Sequence, residues 1–203
     1  MKHFITTLCL VFAIRVVSGQ TDPDLDIYFE KTEFEHAKIN NQDASLFFMH
    51  FPYNTSVAGT DGNVFVSFIV TKSGQIDSIR VLNKPSGLYK DTALDALYKS
   101  SGQWNPSNFD GILFDKRYIG GFNFTKTQSF FYKKEKGLKY SKTGQTEKAL
   151  KFINQALKIN PFDTDLYFSR ARIYRIQGKF DLEMLDLTII DKLNTDLLFN
   201  IWF

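Results

Sequence analysis

The side chains that could do chemistry in this 203-residue chain are few, and their spacing suits little of it. Of the histidines His3, His36 and His50, the last two show no metal-ligand spacing with Asp or Glu. Asp61-Gly62 is a fragment of a calcium loop without the remaining carboxylates. There is no phosphate-cradling P-loop, no G-x-S-x-G elbow and no dinucleotide fingerprint. The acids between Asp22 and Asp26 sit beside Pro23 in a polar stretch. The sequence therefore predicts no enzyme, no cofactor and no metal. What remains is cationic: Lys134, Lys142, Arg172 and Arg175 in the C-terminal part, and Lys116-Arg117-Tyr118 in mid-chain. Such groups can hold the carboxylates of a peptide partner through charge-assisted hydrogen bonds. The plainer reading is a solvated Lys/Arg face.

Those residues must be positioned by elements, and composition allows for them. Hydrophobic residues make up 43% and charged residues 23%, the balance of a folded domain with a core. With 21 Phe, that core is expected to be Phe-rich. Residues 1–19 read as a signal peptide: Lys2 and His3, an apolar run from Phe4 to Ile14, then Val17-Ser18-Gly19 before Gln20. Arg15 breaks the run short of the roughly 20 apolar residues that span a bilayer. Cys9 lacks the small residue expected before a lipid-modified Cys. Cleavage would remove this single Cys, and with it any disulfide. It would also remove Lys2 and Arg15, leaving 23 cationic against 22 acidic residues, a net charge of +1 rather than +3. That excludes the global basic field of a nucleic-acid binder. A polar leader is assigned to 20–41.

In the next stretch, Val64, Val66, Phe68 and Val70 alternate with Phe65, Ser67 and Ile69. Both faces are largely apolar, which predicts a strand covered on two sides. Lys72-Ser73-Gly74-Gln75 turns into a second strand, Ile76 to Leu82, with a wetter face at Ser78 and Arg80. Ala93, Leu94, Leu97 and Tyr98 predict an amphipathic helix near Lys90 to Ser100. Trp104 is read as a core anchor. A third strand covers Leu113 to Phe124, bent or bulged by Gly120-Gly121. Upstream, Asp43 caps a short helix.

These motifs, in this order, resemble the C-terminal domain of TonB-type energy transducers. The residues that carry the resemblance are Phe51-Pro52, the strand Gly62 to Phe68, Lys72-Ser73-Gly74-Gln75-Ile76, Ala93-Leu94, Trp104-Asn105-Pro106 and Phe122-Asn123-Phe124. The resemblance spans 42–125 and implies a small antiparallel sheet with helices. It also implies docking, because an extended peptide can add to an exposed sheet edge. Lys116, Arg117 and Tyr118 on the last strand would either dock such a strand or protect an edge, and protection is favoured. In a bacterial context the sequons at Asn54 and Asn123 carry little weight.

A repeat follows. Gly137, Tyr140 and Gly144 recur as Ala171, Tyr174 and Gly178, each 34 residues on. With Ala149, Ile153, Ala156 and Pro161, this looks like a tetratricopeptide array of paired helices over 128–161 and 162–195, in a domain running 128–203. Glu183 stands where the repeat expects Ala. Leu197 to Phe203 is expected to begin a further helix that covers the open end by packing on the last repeat, the alternative being that the repeats lean on the first domain. The resemblance implies that first helices line a concave face, which places Phe131, Lys134, Leu138 and Lys142 beside Phe168, Arg172 and Arg175.

The fold class is thus α+β: a TonB C-terminal-like sheet domain followed by an all-α tetratricopeptide helix-turn-helix array. The function read from it is an exported, periplasmic protein–protein adaptor with a protein or acidic-peptide partner and no nucleic acid. An alternative is an inner-membrane-anchored transducer serving outer-membrane receptors or an envelope complex. Against it, residues 20–42 reach at most about 75 Å. A second alternative is an envelope enzyme subunit.

Overall fold

The computed structural model describes residues 34–53, 62–124 and 127–203. The signal peptide, Cys9, Asp61, the Asn54 sequon and most of the leader lie outside them. Glu35–Phe203 is one compact unit. It opens earlier than the sequence suggests, because the leader's last residues already pair. β1 (Lys38–Ile39) is antiparallel to β4 (Trp104–Asn105), and Glu35 bridges Asn108. Asp43 caps α1 (Ala44–Met49), its Oδ1 accepting from Ser45 N at 2.7 Å.

β2 (Asn63–Val70) forms the predicted hairpin with β3 (Ile76–Val81), interrupted by a register irregularity between Ser67 and Ile69. α2 (Gly87–Ser100) follows, beginning about a turn earlier than predicted. It buries Tyr89, Ala93, Ala96 and Leu97, whereas Tyr98 faces outward at 63% exposure. The stripe is therefore rotated from the one expected, because Ala96 and Ser100 take the inner positions. Trp104 is the anchor predicted: it is buried and its Nε1 donates to Ser100 Oγ at 3.0 Å. A small hairpin, β5 (Ser107–Phe109) and β6 (Ile112–Phe114), leads into β7 (Lys116–Asn123).

The helices come next: α3 (Thr127–Lys142), α4 (Thr146–Ile159), α5 (Thr164–Ile176) and α6 (Phe180–Asp196). The expected capping helix does not form. Residues Leu197–Trp202 are instead a strand, β8, lying parallel to β7. The main sheet has the order β3-β2-β7-β8, so β7 is an interior strand. From Phe199 onward alternation suits β8 to this place, after a register irregularity at Leu198. Phe199 and Ile201 enter the sheet core with Phe48, Phe68 and Phe122, while Leu197 and Trp202 pack on the helical core.

The irregularity expected at Gly120-Gly121 is found on one side only: the β7–β8 ladder shifts register between Ile119 and Gly120, whereas the β2–β7 ladder keeps its register throughout. Both glycines also make room. A Cβ on Gly120 would lie 2.2 Å from the Phe199 ring, and one on Gly121 would lie 3.0 Å from the Phe162 ring. The sheet is thus covered on both faces, as the two apolar faces of β2 require. Phe65 meets Phe162 at 4.9 Å, and Asn63 Nδ2 donates to Ile159 O at 2.6 Å. Asn123 is buried in this seam, its amide donating to Asn200 Oδ1 and Ile201 O, so that sequon offers no accessible acceptor.

Candidate protein-interaction surface

The surface at issue is built by α3 and α5, the first helices of two hairpins. Gly137 permits close approach of α3 and α4, since a Cβ there would stand 2.8 Å from Ile153 Cγ1. Ala171, 34 residues on, is likewise buried. Gly144 and Gly178 have φ of 71° and 68°, the left-handed backbone that a tight turn between helices demands of glycine. Tyr140 stacks on Phe152 at 5.7 Å. The helical core is therefore what the repeat pattern predicts.

On the exposed side, spacing of three, four and seven residues aligns Phe131, Lys134, Leu138 and Lys142 along α3, and Asp165, Phe168, Arg172 and Arg175 along α5. Two contacts join the stripes: Ser169 Oγ donates to Ser141 Oγ at 2.9 Å, and Lys134 bridges to Asp165. Phe131 and Phe168 are 49% and 60% exposed; Arg172 is exposed one turn on from Phe168, and Lys142 is exposed at the C-terminal end of α3.

The other two cations are engaged. Lys134 Nζ donates to Asp163 at 2.7 Å and Asp165 at 2.9 Å. Burial opposes its charge, but these two carboxylates outweigh that and push its pKa up. Arg175 Nε donates to Glu183 at 2.6 Å, and this bond raises its pKa. Glu183 is buried there, which explains why an acid replaces the Ala of the repeat pattern. Arg170 makes a further pair that the sequence did not announce. It forks onto Asp186 at 2.7 and 2.9 Å and reaches Asn154 at 2.6 Å. No local spacing signals these pairs, because their partners meet only when helices pack.

Lys116, Arg117 and Tyr118 are each engaged within the fold through their side chains. Tyr118 is fully buried, its hydroxyl accepting from Ala37 N and bonded to Ser107 Oγ. Lys116 pairs with Asp196 at 2.9 Å, and Arg117 donates to Ser67 Oγ and Ser78 O. β8 pairs with β7 only along Ile119–Asn123, so the strand is interior there, while Lys116, Arg117 and Tyr118 lie before that pairing and are engaged through their side chains. The histidines also serve structure: His50 Nδ1 lies 2.8 Å from Leu46 O, and burial lowers the pKa of His36. Among the described residues no cluster of three His, Cys, Asp or Glu could hold a metal ion, and no helix is long and apolar enough to cross a membrane.

Comparison with known proteins agrees with the helical geometry. Residues 135–163 match the tetratricopeptide repeat family model. The chain is also 38% identical over 56 residues to an uncharacterized protein of Methanocaldococcus jannaschii. That match covers 28% of this chain and 63% of the relative, less than two thirds of its length. Tetratricopeptide repeats generally mediate protein–protein interaction, the role this repeat suggests here.

Proposed function

We propose that this chain is an exported adaptor that holds an extended acidic peptide on the α3–α5 face. The observation that carries this reading is that α3 and α5 each expose a ring and a cation along one stripe. Phe131 and Phe168 offer apolar contact, and Lys142 and Arg172 offer charge, while Lys134 and Arg175 are already held by carboxylates. A peptide that alternates acidic and apolar side chains would satisfy both sets. The sheet region, with its TonB-like motif order, is proposed as a second docking module. Its remaining outer strands are β3 and β8. Energy transduction is the weaker reading, since the strand that would have docked a receptor is already paired with β8 along Ile119–Asn123. Residence in the periplasm rests on the signal-like pattern of residues 1–19.

Fluorescence anisotropy with a labelled Glu/Phe peptide tests the binding face. The acidic peptide should bind more tightly than its Lys/Phe counterpart, and more weakly as salt rises. Arg172→Glu with Lys142→Glu should reverse that preference without lowering the melting temperature. Equal binding of both peptides, or no response to the charge reversal, would overturn the assignment. Mass spectrometry of the N-terminus tests export: a chain beginning at Gln20 is expected, and an intact Met1 would point to membrane anchoring.

A further inference from the structure

α6 buries two of its acids and leaves two of its leucines exposed. Glu183 and Asp186 are buried against Arg175 and Arg170. Leu182 and Leu185, by contrast, are 41% and 56% exposed, and Ile189 is half-buried. Spacing of three and four residues sets these three in one stripe along the helix flank. In a stacked helical array the next hairpin would cover such a stripe, and a terminal helix would present a polar outer face. Here the chain leaves α6 at Leu197 and enters the sheet, so Leu182 and Leu185 stay exposed, while Ile189 at the stripe's inner border also touches the helical core.

We propose that this stripe is covered by the same stripe of a second copy, with the two α6 helices antiparallel across a two-fold axis. Charge complementarity selects this occupant. Asp181 and Lys192 are both exposed and lie at the two ends of the stripe, on its side of the helix. They are about 16 Å apart along the axis at 1.5 Å per residue. An antiparallel pairing centred between Asp186 and Leu187 sets Asp181 of each copy against Lys192 of the other, and Leu185 beside Ile189. A parallel pairing would place Asp181 on Asp181 and Lys192 on Lys192, so the charges specify direction. Lys192 also stands at the rim of an open groove of about 460 Å³ that includes Leu82 and Ile119. Leu82 is 52% exposed there and gives the first turn of the second helix an apolar seat. This surface is separate from the proposed peptide face on α3 and α5, and either assignment can fail without the other.

Sedimentation equilibrium on the full-length chain over a concentration series decides it. A reversible dimer is expected. Leu185→Glu should yield a monomer with an unchanged melting temperature, because the position is exposed. Asp181→Lys or Lys192→Asp alone should weaken the dimer roughly tenfold, since each creates two like-charge contacts. The double variant Asp181→Lys/Lys192→Asp should restore it. If Leu185→Glu lowers the melting temperature, the charge exchange decides alone. A monomer at every concentration, as a heterologous partner would predict, overturns the proposal. So does a dimer that the double exchange fails to restore.

Discussion

The Tyr118 hydroxyl accepts from Ala37 N at 3.0 Å and lies 2.6 Å from Ser107 Oγ in a fully buried site. Burial raises its pKa, so it remains a neutral hydrogen-bonding group. Tyr118→Phe would keep the packing but strand a backbone N–H and a buried serine. The expected loss is about 1–3 kcal/mol in urea unfolding, and a loss below the error of the measurement would refute this role. Lys134 makes a different prediction, because its pKa is raised in the folded state. A raised cation stabilises the fold fully below its unfolded value and loses that contribution as pH climbs through the folded one. Wild type should therefore exceed Lys134→Met by about 1 kcal/mol at neutral pH, with the gap closing only in strongly alkaline solution. A gap that closes as pH falls from 8 toward 6 would contradict the assignment. Lys134 was legible as an exposed-face cation from its spacing. Its two acidic partners were not, since Asp163 and Asp165 reach it only when α5 docks on α3.

At the scale of elements, β8 is the least expected part of the fold and the most consequential. Its residues Leu197, Leu198, Phe199, Ile201 and Trp202 are apolar enough to demand burial, which the sequence states plainly. Whether they are buried as helix or strand depends on what lies opposite. Gly120 of β7 leaves the space that the Phe199 ring fills, and Gly121 leaves room for Asn200 and Phe162. A chain ending at Asp196 would lose Phe199 and Ile201, each 2% exposed, from the sheet core. Their burial is worth about 3–6 kcal/mol together, comparable with the whole stability of a small domain. Such a truncation should melt far lower in circular dichroism, and an unchanged melting curve would sink the account. The hairpin β2–β3, α1 with its Asp43 cap and the four repeat helices were readable locally, because period and turn chemistry specify them. α2 was readable in existence but not in orientation, since neighbouring Leu94 and Ala96 compete for the inner face.

At the scale of the molecule, β8 ties the sheet and the helices into one body. Its Phe199 and Ile201 supply the sheet core, and its Leu197 and Trp202 touch the helical core. The Asn63–Ile159 and Lys116–Asp196 contacts cross the same seam. Sheet and helices should therefore unfold together. In a Trp202→Phe background, Trp104 fluorescence reports the sheet and ellipticity at the helix band reports the repeats. The two transitions should coincide, and a sheet that melts separately from the helices would show that the seam is weak. The sequence by itself determined the local grammar: alternating strands, a 34-residue helical repeat, the absence of familiar catalytic motifs and an apolar tail that had to be covered. These follow from periodicity and turn residues, which act over a few positions. The tertiary structure alone decided where that tail goes, and hence that Ile119–Asn123 of β7 are paired on both sides and that Leu182 and Leu185 of α6 stay exposed. Contacts such as Gly120 with Phe199 join residues 79 positions apart, and no local pattern encodes them.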